Sequence, residues 1–343
     1  MLGRESINTM PNQTTRVGFW WVDKKEDDIP SKVLRERLKV HGVELVKLDL
    51  GRPFEEQGPF KVIVHKLCDM LVAEIGGDRE ASRICQEFQA YCAAHPEVRI
   101  LDPLSSVRLI LDRFNQYELI KQALDILPDK DILVPPFVRL EKPDPEANVG
   151  IVRANRLRFP LLFKHIVAHG SREAHRMFLI MNEDGLRKLD SFPCVVQQYI
   201  PHGSVLYKVF VVGSFYQTIR RPSLKDVETT STCNLIEFNS HDISKPNSKS
   251  PLTDREAWLR PDERGDALVS SDRLKRAVDV LVRATKHTLC GIDFILEQDT
   301  GKLYVLDFNN FPGFTGVDDI IGELTRLILH EAGITFSNGN QSS

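Results

Sequence analysis

The chain has 343 residues, 42% of them hydrophobic and 27% charged, and its formal net charge is −3 at pH 7. This length is enough for two or three domains, and the charge excludes the global positive field that recruits nucleic acid. No apolar run approaches the roughly 20 residues that span a bilayer, and the N-terminus has no apolar core of signal-peptide type. We therefore expect a cytoplasmic protein that binds neither nucleic acid nor membrane.

The six cysteines are scattered along the chain, and none forms a Cys-x-x-Cys pair. A zinc site or a disulfide framework needs closely matched cysteine spacings, which are missing from this sequence. The pattern therefore predicts buried free thiols.

The first third of the sequence alternates short β-rich runs with helical periodicity. Helices are predicted over 31–41 and 80–94. The predicted strands are RVGFWWV (16–22), VELVKLDL (43–50), KVIVH (61–65) and VRILD (98–102). Alternation of this kind is typical of a mostly parallel sheet with helices on both faces, so we expect a doubly wound domain over about 16–110.

A different pattern follows this domain. A long helix is predicted over about 105–125, and the Pro-rich stretch 142–150 indicates a loop. Closely spaced strands such as CVVQQYI and VLYKVFVVG then favour an antiparallel sheet, and 225–256 indicates a long polar loop. Helices are predicted over 271–289 and about 317–332. The fold class is therefore α/β at first and α+β in the C-terminal part.

Two strands near the C-terminus, GIDFILEQ and KLYVLDFNN, are separated by Asp299-Thr300-Gly301. A three-residue hairpin loop with Gly last is common, because glycine adopts the left-handed conformation easily. That loop pairs Gln298 with Lys302 and places Asp293 opposite Asp307. Asn309 then points to the same face as Asp307.

Two carboxylates directly opposite each other repel, and their neighbours in the sequence are apolar. A cation at this point would relieve the repulsion, and an all-oxygen set of ligands suits Mg²⁺. The alternative is an ordinary solvated acidic strand end, which sequence pattern alone leaves open.

Basic residues follow several predicted strands, among them Lys25 after the first strand and Lys66 after the third. Ligands of open α/β sheets bind beyond the carboxyl ends of the strands, so these residues favour an anion site. Lys164 ends the run FPLLFK and is a candidate for binding a nucleotide phosphate, with a surface lysine as the alternative. Gln197 lies in a strand that runs into a hinge, where backbone and side chain could contact a purine, with an ordinary strand and turn as the alternative.

Nine stretches in order resemble one known family. They are RVGFWWVDKK, VIVHKLCD, LDRFNQYELI, FKHIVAHG, VVQQYIPHGSVLYKVFVVG, RRPSLK, FNSHDISKP, GIDFIL and DFNNFPGF. The chain resembles the inositol-tetrakisphosphate 1-kinases, also called inositol 1,3,4-trisphosphate 5/6-kinases, of the ATP-grasp superfamily.

The resemblance implies an ATP-grasp fold with three domains between two flexible tails. The implied limits are 1–15 for the N-terminal tail, 16–112 for a Rossmann-like domain that contributes to the inositol phosphate site, 113–210 for a central ATP-grasp subdomain, 211–333 for a C-terminal subdomain with the magnesium site, and 334–343 for the C-terminal tail.

The resemblance also implies site residues, two Mg²⁺ ions and ATP as co-substrate. Implied metal ligands are Asp293, Asp307 and Asn309. Implied ATP contacts are Arg113, Lys164, Gln197, Gln198, Tyr199, Ile200, Lys208, Ser223, Ser240 and Ser244. Implied inositol phosphate contacts are Lys25, Lys66, His169, His175, Lys208, Asn309 and Gly313. Lys208, Asp307 and Asn309 are implied to be catalytic.

His175 matches the family's substrate contact, but the loop between His169 and His175 is one residue longer than is usual in the family, so His169 is the alternative contact. The implied activity is Mg²⁺- and ATP-dependent phosphorylation of inositol 3,4,5,6-tetrakisphosphate at the 1-position and of inositol 1,3,4-trisphosphate at the 5- or 6-position, by a monomer. The alternatives are a carboxylate–amine ligase of the ATP-grasp superfamily and a catalytically inactive inositol phosphate-binding protein.

Overall fold

The computed structural model describes residues 14–169, 173–227, 233–245, 247, 250–254, 256–269 and 271–335. The tails predicted over 1–15 and 334–343 lie almost entirely outside these ranges, as does part of the loop between His169 and His175. The described chain divides into two compact units. One comprises the described residues up to His65, together with 86–101 and those from Asp319 onward; the other comprises 66–85 and 102–318.

The first unit contains a four-stranded parallel sheet, as the sequence predicts. Its strands, in the order β2-β1-β3-β4, are β1 (Thr15–Trp20), β2 (Val43–Lys47), β3 (Val62–His65) and β4 (Arg99–Leu101). Its helices are α1 (Ser31–Lys39), the C-terminal part of α3 (Arg79–Ala94) and α10 (Ile320–Glu331). The strands are short apolar runs; Val62, Ile63 and Val64 are fully buried, which is typical of a strand covered on both faces.

The second unit contains two five-stranded sheets, both largely antiparallel. The first, β11-β10-β13-β14-β5, contains β5 (Ile132–Leu133), β10 (Val205–Val212), β11 (Phe215–Pro222), β13 (Leu289–Leu296) and β14 (Leu303–Asn310). The second, β12-β8-β7-β9-β6, contains β6 (Phe137–Leu140), β7 (Leu161–His165), β8 (Arg176–Ile180), β9 (Cys194–Gln198) and β12 (Leu235–Asn239). Only the β14–β5 pair is parallel among the described pairs of these two sheets.

The second unit also contains seven α-helices among its described residues, besides the N-terminal part of α3. They are α2 (Cys68–Ile75), α4 (Leu104–Leu111), α5 (Arg113–Asp125), α6 (Pro145–Ala154), α7 (Glu183–Leu186), α8 (Glu263–Val269) and α9 (Asp272–Thr285). A core of buried side chains from α5, α9, β10, β13 and β14 lies on one face of the first sheet. The opposite face of that sheet carries the polar residues of the candidate site.

Predictions for one helix and two loops are wrong. The long helix over 105–125 is two helices, because Asp112 is extended and its side chain caps α5 by accepting from the Asn115 amide at 2.9 Å. The predicted loop over 142–150 contains the start of α6, which Asp144 caps in the same way. The predicted polar loop over 225–256 contains strand β12, which pairs with β8.

All six cysteines are free, as predicted, but the prediction that they are buried is wrong for two of them, since Cys92 is half-buried and Cys233 is exposed. In the described ranges, no helix has both the length and the apolar content needed to cross a membrane. The domain limits 16–112, 113–210 and 211–333 stay a prediction.

Candidate active site

A cavity of about 280 Å³ in the second unit is lined by residues of both five-stranded sheets. Eleven of the residues singled out from the sequence line it: Arg113, Lys164, His169, His175, Lys208, Ser223, Ser240, Ser244, Asp293, Asp307 and Asn309. They come from stretches spread over about 200 residues of the chain, so the fold is what brings them together. These residues place cationic side chains and oxygen ligands around one cavity. Such a combination suits a phosphorylated ligand that binds together with a metal ion.

Strand alternation accounts for the polar face of β10 and β13. Tyr207 and Val209 of β10 lie in the core, so Lys208 between them faces the cavity. Lys208 lies directly opposite Asp293 of β13, and its Nζ donates to Asp293 Oδ1 at 2.7 Å. A charged pair directly across two strands is stabilising, and here it also fixes the position of both side chains.

Asp307 of β14 lies directly opposite Asp293, as predicted, but the hairpin reaches this pairing by a different route. Near the turn Leu296 pairs with Leu303, and the Glu297 amide donates to Lys302 O at 2.9 Å, so the predicted pairing of Gln298 with Lys302 is wrong. A β-bulge between Asp293 and Phe294 then restores the predicted register.

The bulge makes Leu306 the extra residue of β14, since Asp293 pairs with Asp307 and Phe294 pairs with Val305. Leu306 and Asp307 therefore both face the cavity, although they are consecutive. Leu306 O accepts from Lys164 Nζ and from Tyr117 Oη, both at 3.0 Å. The bulge thus leaves the carbonyl of Leu306 available to hold the Lys164 ammonium in place.

Each carboxylate of the pair is held by its own cation. Arg113 Nη1 donates to both carboxylate oxygens of Asp307 at 3.1 Å, and Arg113 is almost fully buried. Burial alone would raise the pKa of Asp307, but the charges of Arg113 and then Lys164 outweigh burial and hold it below its usual value. Asp307 is therefore ionised at neutral pH.

Asn309 completes the set on this face. Its Nδ2 donates to Asp293 Oδ2 at 3.3 Å, which leaves its side-chain oxygen able to bind a cation. No group of three or more His, Cys, Asp or Glu side chains in the described ranges could hold a metal. The two carboxylates and one amide nevertheless fit Mg²⁺, which takes one or two carboxylates from a protein and completes its shell with water and substrate phosphates.

Lys164 is buried in the wall of the cavity. Its Nζ donates to Tyr117 Oη at 2.7 Å in addition to Leu306 O. Burial lowers the pKa of Lys164 to about 7, although Asp307 favours the charged form. A bound phosphate would supply the missing negative charge and favour the protonated lysine.

The two candidate histidines differ in what they contact. His169 Nε2 is buried and has no hydrogen-bond partner among the described residues, and burial lowers the pKa of His169 to about 4. His175 Nδ1 lies 3.2 Å from Ser240 Oγ, and its ring contacts that of His241 at a tilt of 47°, with centroids 3.8 Å apart. The sequence reasoning missed His241, although it lies in the FNSHDISKP stretch.

Gln197 has a fully buried amide with neither nitrogen nor oxygen hydrogen-bonded within the described residues. It lies opposite Leu162 of β7, on the face of the sheet that also carries Lys164. A buried amide without partners costs about 1–3 kcal/mol, so this position indicates a ligand or an ordered water.

The other three residues of the predicted hinge are engaged by the protein itself. Gln198 Oε1 accepts from the Arg158 amide at 3.1 Å, and Tyr199 Oη lies 3.1 Å from Asp226 Oδ1. The amides of Gln198 and Tyr199 donate to Pro136 O and Pro160 O, so they are not free to bind a purine edge. Ile200 is buried in a small apolar cluster with Leu206.

Three predicted substrate contacts lie outside the lining of this cavity. Lys66 is in the same unit and donates from Nζ to Phe311 O at 3.2 Å. Gly313 follows in the loop after β14. Lys25 belongs to the other unit, where it is buried and lies 3.9 Å from Asp28 Oδ2.

Solved structures with similar folds are ATP-grasp ligases and synthetases. One is the ATP-grasp ligase PsnB with a minimal precursor, with a TM-score of 0.58 and 16% identity over 93% of this chain and 99% of that chain. Another is an N5-carboxyaminoimidazole synthetase from Staphylococcus aureus with ADP, with a TM-score of 0.55 and 14% identity over 94% and 79%. These likenesses show the fold, which is ATP-grasp.

Sequence comparison is more specific. The model of the inositol 1,3,4-trisphosphate 5/6-kinase pre-ATP-grasp domain matches residues 16–107, and that of the ATP-grasp domain of the same kinase matches 127–330. An inositol-tetrakisphosphate 1-kinase from Xenopus laevis is 40% identical over 91% of this chain and 78% of that relative. The relative from Danio rerio is 37% identical over 91% and 79%, and one from Zea mays is 29% identical over 95% and 91%. The chain therefore belongs to the inositol 1,3,4-trisphosphate 5/6-kinase family.

Proposed function

We propose that this chain transfers the γ-phosphoryl group of ATP to an inositol polyphosphate. The acceptor positions are the 1-hydroxyl of inositol 3,4,5,6-tetrakisphosphate and the 5- or 6-hydroxyl of inositol 1,3,4-trisphosphate. The observation that carries the proposal is the cavity of the second unit, where Asp293, Asp307 and Asn309 share one face with Arg113, Lys164 and Lys208. Family membership supports this activity, because the relatives are named inositol-tetrakisphosphate 1-kinases.

The cations of the cavity would neutralise the triphosphate. Phosphoryl transfer has a loose transition state, so positioning and charge neutralisation supply most of the catalysis. Arg113 and Lys164 hold fixed positions against Asp307, Tyr117 and Leu306, which means that they need little reorganisation when phosphates bind. Lys208 would bridge the two substrates, since it is anchored by Asp293 and faces the same space.

Asp293, Asp307 and Asn309 would hold two Mg²⁺ ions, which when bound neutralise charge on the β- and γ-phosphates. Binding would require Asp293 and Asp307 to exchange part of their contact with Lys208 and Arg113 for the metal. The released ammonium and guanidinium groups would then be free to contact phosphate oxygens.

Within the second unit the inositol phosphate would be held by Lys66, Lys208, Asn309, Gly313 and one histidine, and Lys25 of the first unit stays a predicted contact. Of the two candidates we favour His169, because its Nε2 has no hydrogen-bond partner in the described chain, whereas His175 Nδ1 already contacts Ser240. A neutral imidazole can donate one hydrogen bond to a phosphate or hydroxyl oxygen.

Nucleotide binding would involve Ser223, Ser240, Ser244 and the β9 hinge. Gln197 brings an unsatisfied amide to the cavity side of that sheet. Any contact of Gln198, Tyr199 or Ile200 with ATP would use backbone carbonyls or the Ile200 amide, because the backbone amides of Gln198 and Tyr199 already donate to Pro136 O and Pro160 O.

We also propose that the protein acts as a monomer.

The proposal is tested against the ligase alternative by measuring ADP formation with different acceptors. A kinase of this class forms ADP when inositol 3,4,5,6-tetrakisphosphate is added, and no ADP beyond background with a mixture of amines and carboxylates. ADP formation that responds only to an amine and a carboxylate would overturn the proposal in favour of a ligase. Binding of inositol phosphate without ADP formation would favour an inactive binding protein.

A further inference from the structure

A second cavity, of about 320 Å³, lies in the same unit on the other face of the first sheet. Tyr207 lines it, whereas the next residue of β10, Lys208, lines the candidate active site. Successive strand residues point to opposite faces, so the two cavities are separated by the sheet itself. The second cavity is therefore not an extension of the kinase site.

Three arginines line this second cavity: Arg220, Arg260 and Arg264. We call it the arginine cavity. Asp262 is the one carboxylate among its described lining residues, and it accepts a hydrogen bond from Tyr207 Oη. Asp254 and Glu256 lie 3.7 Å and 3.8 Å from Arg260 Nη2 and offset part of its charge. The lining itself thus carries three arginines against one carboxylate, and the two acids beside Arg260 bring the local charges into balance.

Arg220 carries unused hydrogen-bonding capacity in this lining. It lies directly opposite Tyr207 on β11, and its Nη1 donates to Arg260 O at 2.9 Å. Its Nε and Nη2 are buried and have no hydrogen-bond partner among the described residues, and the carboxylate of Asp262 lies 3.9 Å from Nη2. Buried N–H groups of a charged side chain are costly to leave unsatisfied, so an acceptor from solution belongs here.

The shape of the free donors indicates the kind of acceptor. The Nε and Nη2 atoms of one guanidinium form a planar fork that matches two oxygens of a phosphate group. Arg264 is exposed at the same cavity and donates from Nη1 to Gln298 O at 2.8 Å, which leaves its other donors for a ligand. A water molecule would satisfy only part of this set, whereas a tetrahedral anion can accept from several donors at once.

His202 lines the arginine cavity but has no ring nitrogen available for a ligand. Its Nδ1 lies 2.7 Å from Ile200 O, and its Nε2 lies 2.7 Å from Ser223 Oγ. Both ring nitrogens are therefore occupied. Ser223 lines the candidate active site, so this hydrogen bond joins the walls of the two cavities.

We propose that the arginine cavity binds a small phosphate-bearing anion at a site separate from the kinase cavity, with Arg220 as the central donor and Arg264 at the entrance. The anion is inorganic phosphate or the phosphate group of a small phosphomonoester. The volume of about 320 Å³ leaves room for more than the phosphate group alone.

The test follows arginine Nε–H resonances by NMR during titration with inorganic phosphate. The kinase cavity is first filled with Mg²⁺ and a non-hydrolysable ATP analogue, so that the added phosphate reports on other sites. The Arg220 resonance, assigned by its loss in Arg220→Lys, is expected to shift with saturation. A parallel titration with glycerol 1-phosphate distinguishes the two kinds of anion. A lower dissociation constant for glycerol 1-phosphate than for inorganic phosphate indicates that the site binds a phosphomonoester.

Two variants make the test decisive. Arg264→Gln removes an exposed donor of the cavity and should weaken phosphate binding about tenfold, because a charge-assisted hydrogen bond is lost. Arg276→Gln removes an exposed arginine of α9 outside the cavity lining and should leave binding unchanged. An Arg220 resonance that does not move, shifts that do not saturate, or equal binding by Arg264→Gln and wild type would overturn the proposal.

Discussion

Asp293 and Asp307 face each other across the β13–β14 ladder, and each is engaged by a different cation. Lys208 Nζ lies 2.7 Å from Asp293 Oδ1, and Arg113 Nη1 lies 3.1 Å from both oxygens of Asp307. The repulsion between the two carboxylates is therefore balanced by the protein before any ligand binds. The same two cations are the ones that a triphosphate would contact, so metal and nucleotide binding are expected to be coupled.

Removing the charge of Asp307 should abolish phosphoryl transfer and leave the protein folded. Asp307→Asn is expected to lower kcat about a thousandfold, since Mg²⁺ charge stabilisation worth several kcal/mol is lost. It also leaves the buried Arg113 without its carboxylate, so the free energy of unfolding should fall by about 3 kcal/mol. Initial rates and urea unfolding measure the two effects. Asp299→Asn, at an exposed acid of the hairpin turn, is the matched control. Wild-type turnover by Asp307→Asn would rule out the metal assignment.

Gln197→Leu should stabilise the free protein and weaken its binding of ATP. The amide of Gln197 is buried without partners among the described residues, so an apolar side chain of similar size should raise the free energy of unfolding by about 1–2 kcal/mol. The KM for ATP should rise about tenfold if the amide binds the nucleotide. Gln198→Leu is the control, because its side chain contacts Arg158 instead. A Gln197→Leu protein with lower stability and unchanged KM would contradict both expectations.

His169→Gln should impair use of the inositol phosphate more than His175→Gln does. His169 Nε2 has no hydrogen-bond partner in the described ranges, whereas His175 contacts Ser240 and His241. Loss of one hydrogen bond to a charged phosphate should raise the KM for inositol phosphate about tenfold in His169→Gln. The KM for ATP, measured in the same preparations, should change less. The reverse order of the two variants would assign the contact to His175.

The first unit should lose a small part of its stability as pH rises through the titration of His95. Hydrogen bonds that the His95 ring donates to the carboxylate of Glu55 and, to a smaller extent, of Glu97 raise the pKa of His95 above its usual value, although partial burial opposes this. A raised folded-state pKa stabilises the protein below the unfolded pKa, and this contribution disappears above the folded pKa. Wild type should thus exceed His95→Gln in unfolding free energy at about pH 5 and not at about pH 8. Glu55→Gln should remove most of this pH dependence of the unfolding free energy. A difference in unfolding free energy between wild type and His95→Gln that does not change with pH would contradict the prediction.

The family, the ATP-grasp fold and the kinase class predicted from the sequence are confirmed by the comparisons. The four-stranded parallel sheet was also predictable, because buried strands alternate with amphipathic helices over the first hundred residues. The opposition of Asp293 and Asp307 was predicted by counting across the turn. This opposition holds in the structure only because the bulge at Leu306 offsets a hairpin loop that is one residue longer than the predicted loop.

What the sequence did not reveal depends on contacts between distant segments. Asp before a helix is a start signal, so the caps at Asp112 and Asp144 were predictable in principle. The helical periodicity of the sequence continues through Asp112, which hid the break between two helices. The prolines next to Asp144 favoured a loop instead of a helix start. The anchoring of Lys164 by Tyr117 and Leu306 joins residues 47 and 142 positions apart. No spacing pattern predicts such a contact.

The central claim is tested most directly by identifying the product formed from inositol 3,4,5,6-tetrakisphosphate and γ-labelled ATP in the presence of Mg²⁺. Chromatography that separates inositol phosphate isomers is expected to show the label in inositol 1,3,4,5,6-pentakisphosphate, with label transfer lost in Asp307→Asn and on removal of Mg²⁺ by a chelator. An unlabelled inositol phosphate pool, with a wild-type protein that is folded and binds ATP, would contradict the account.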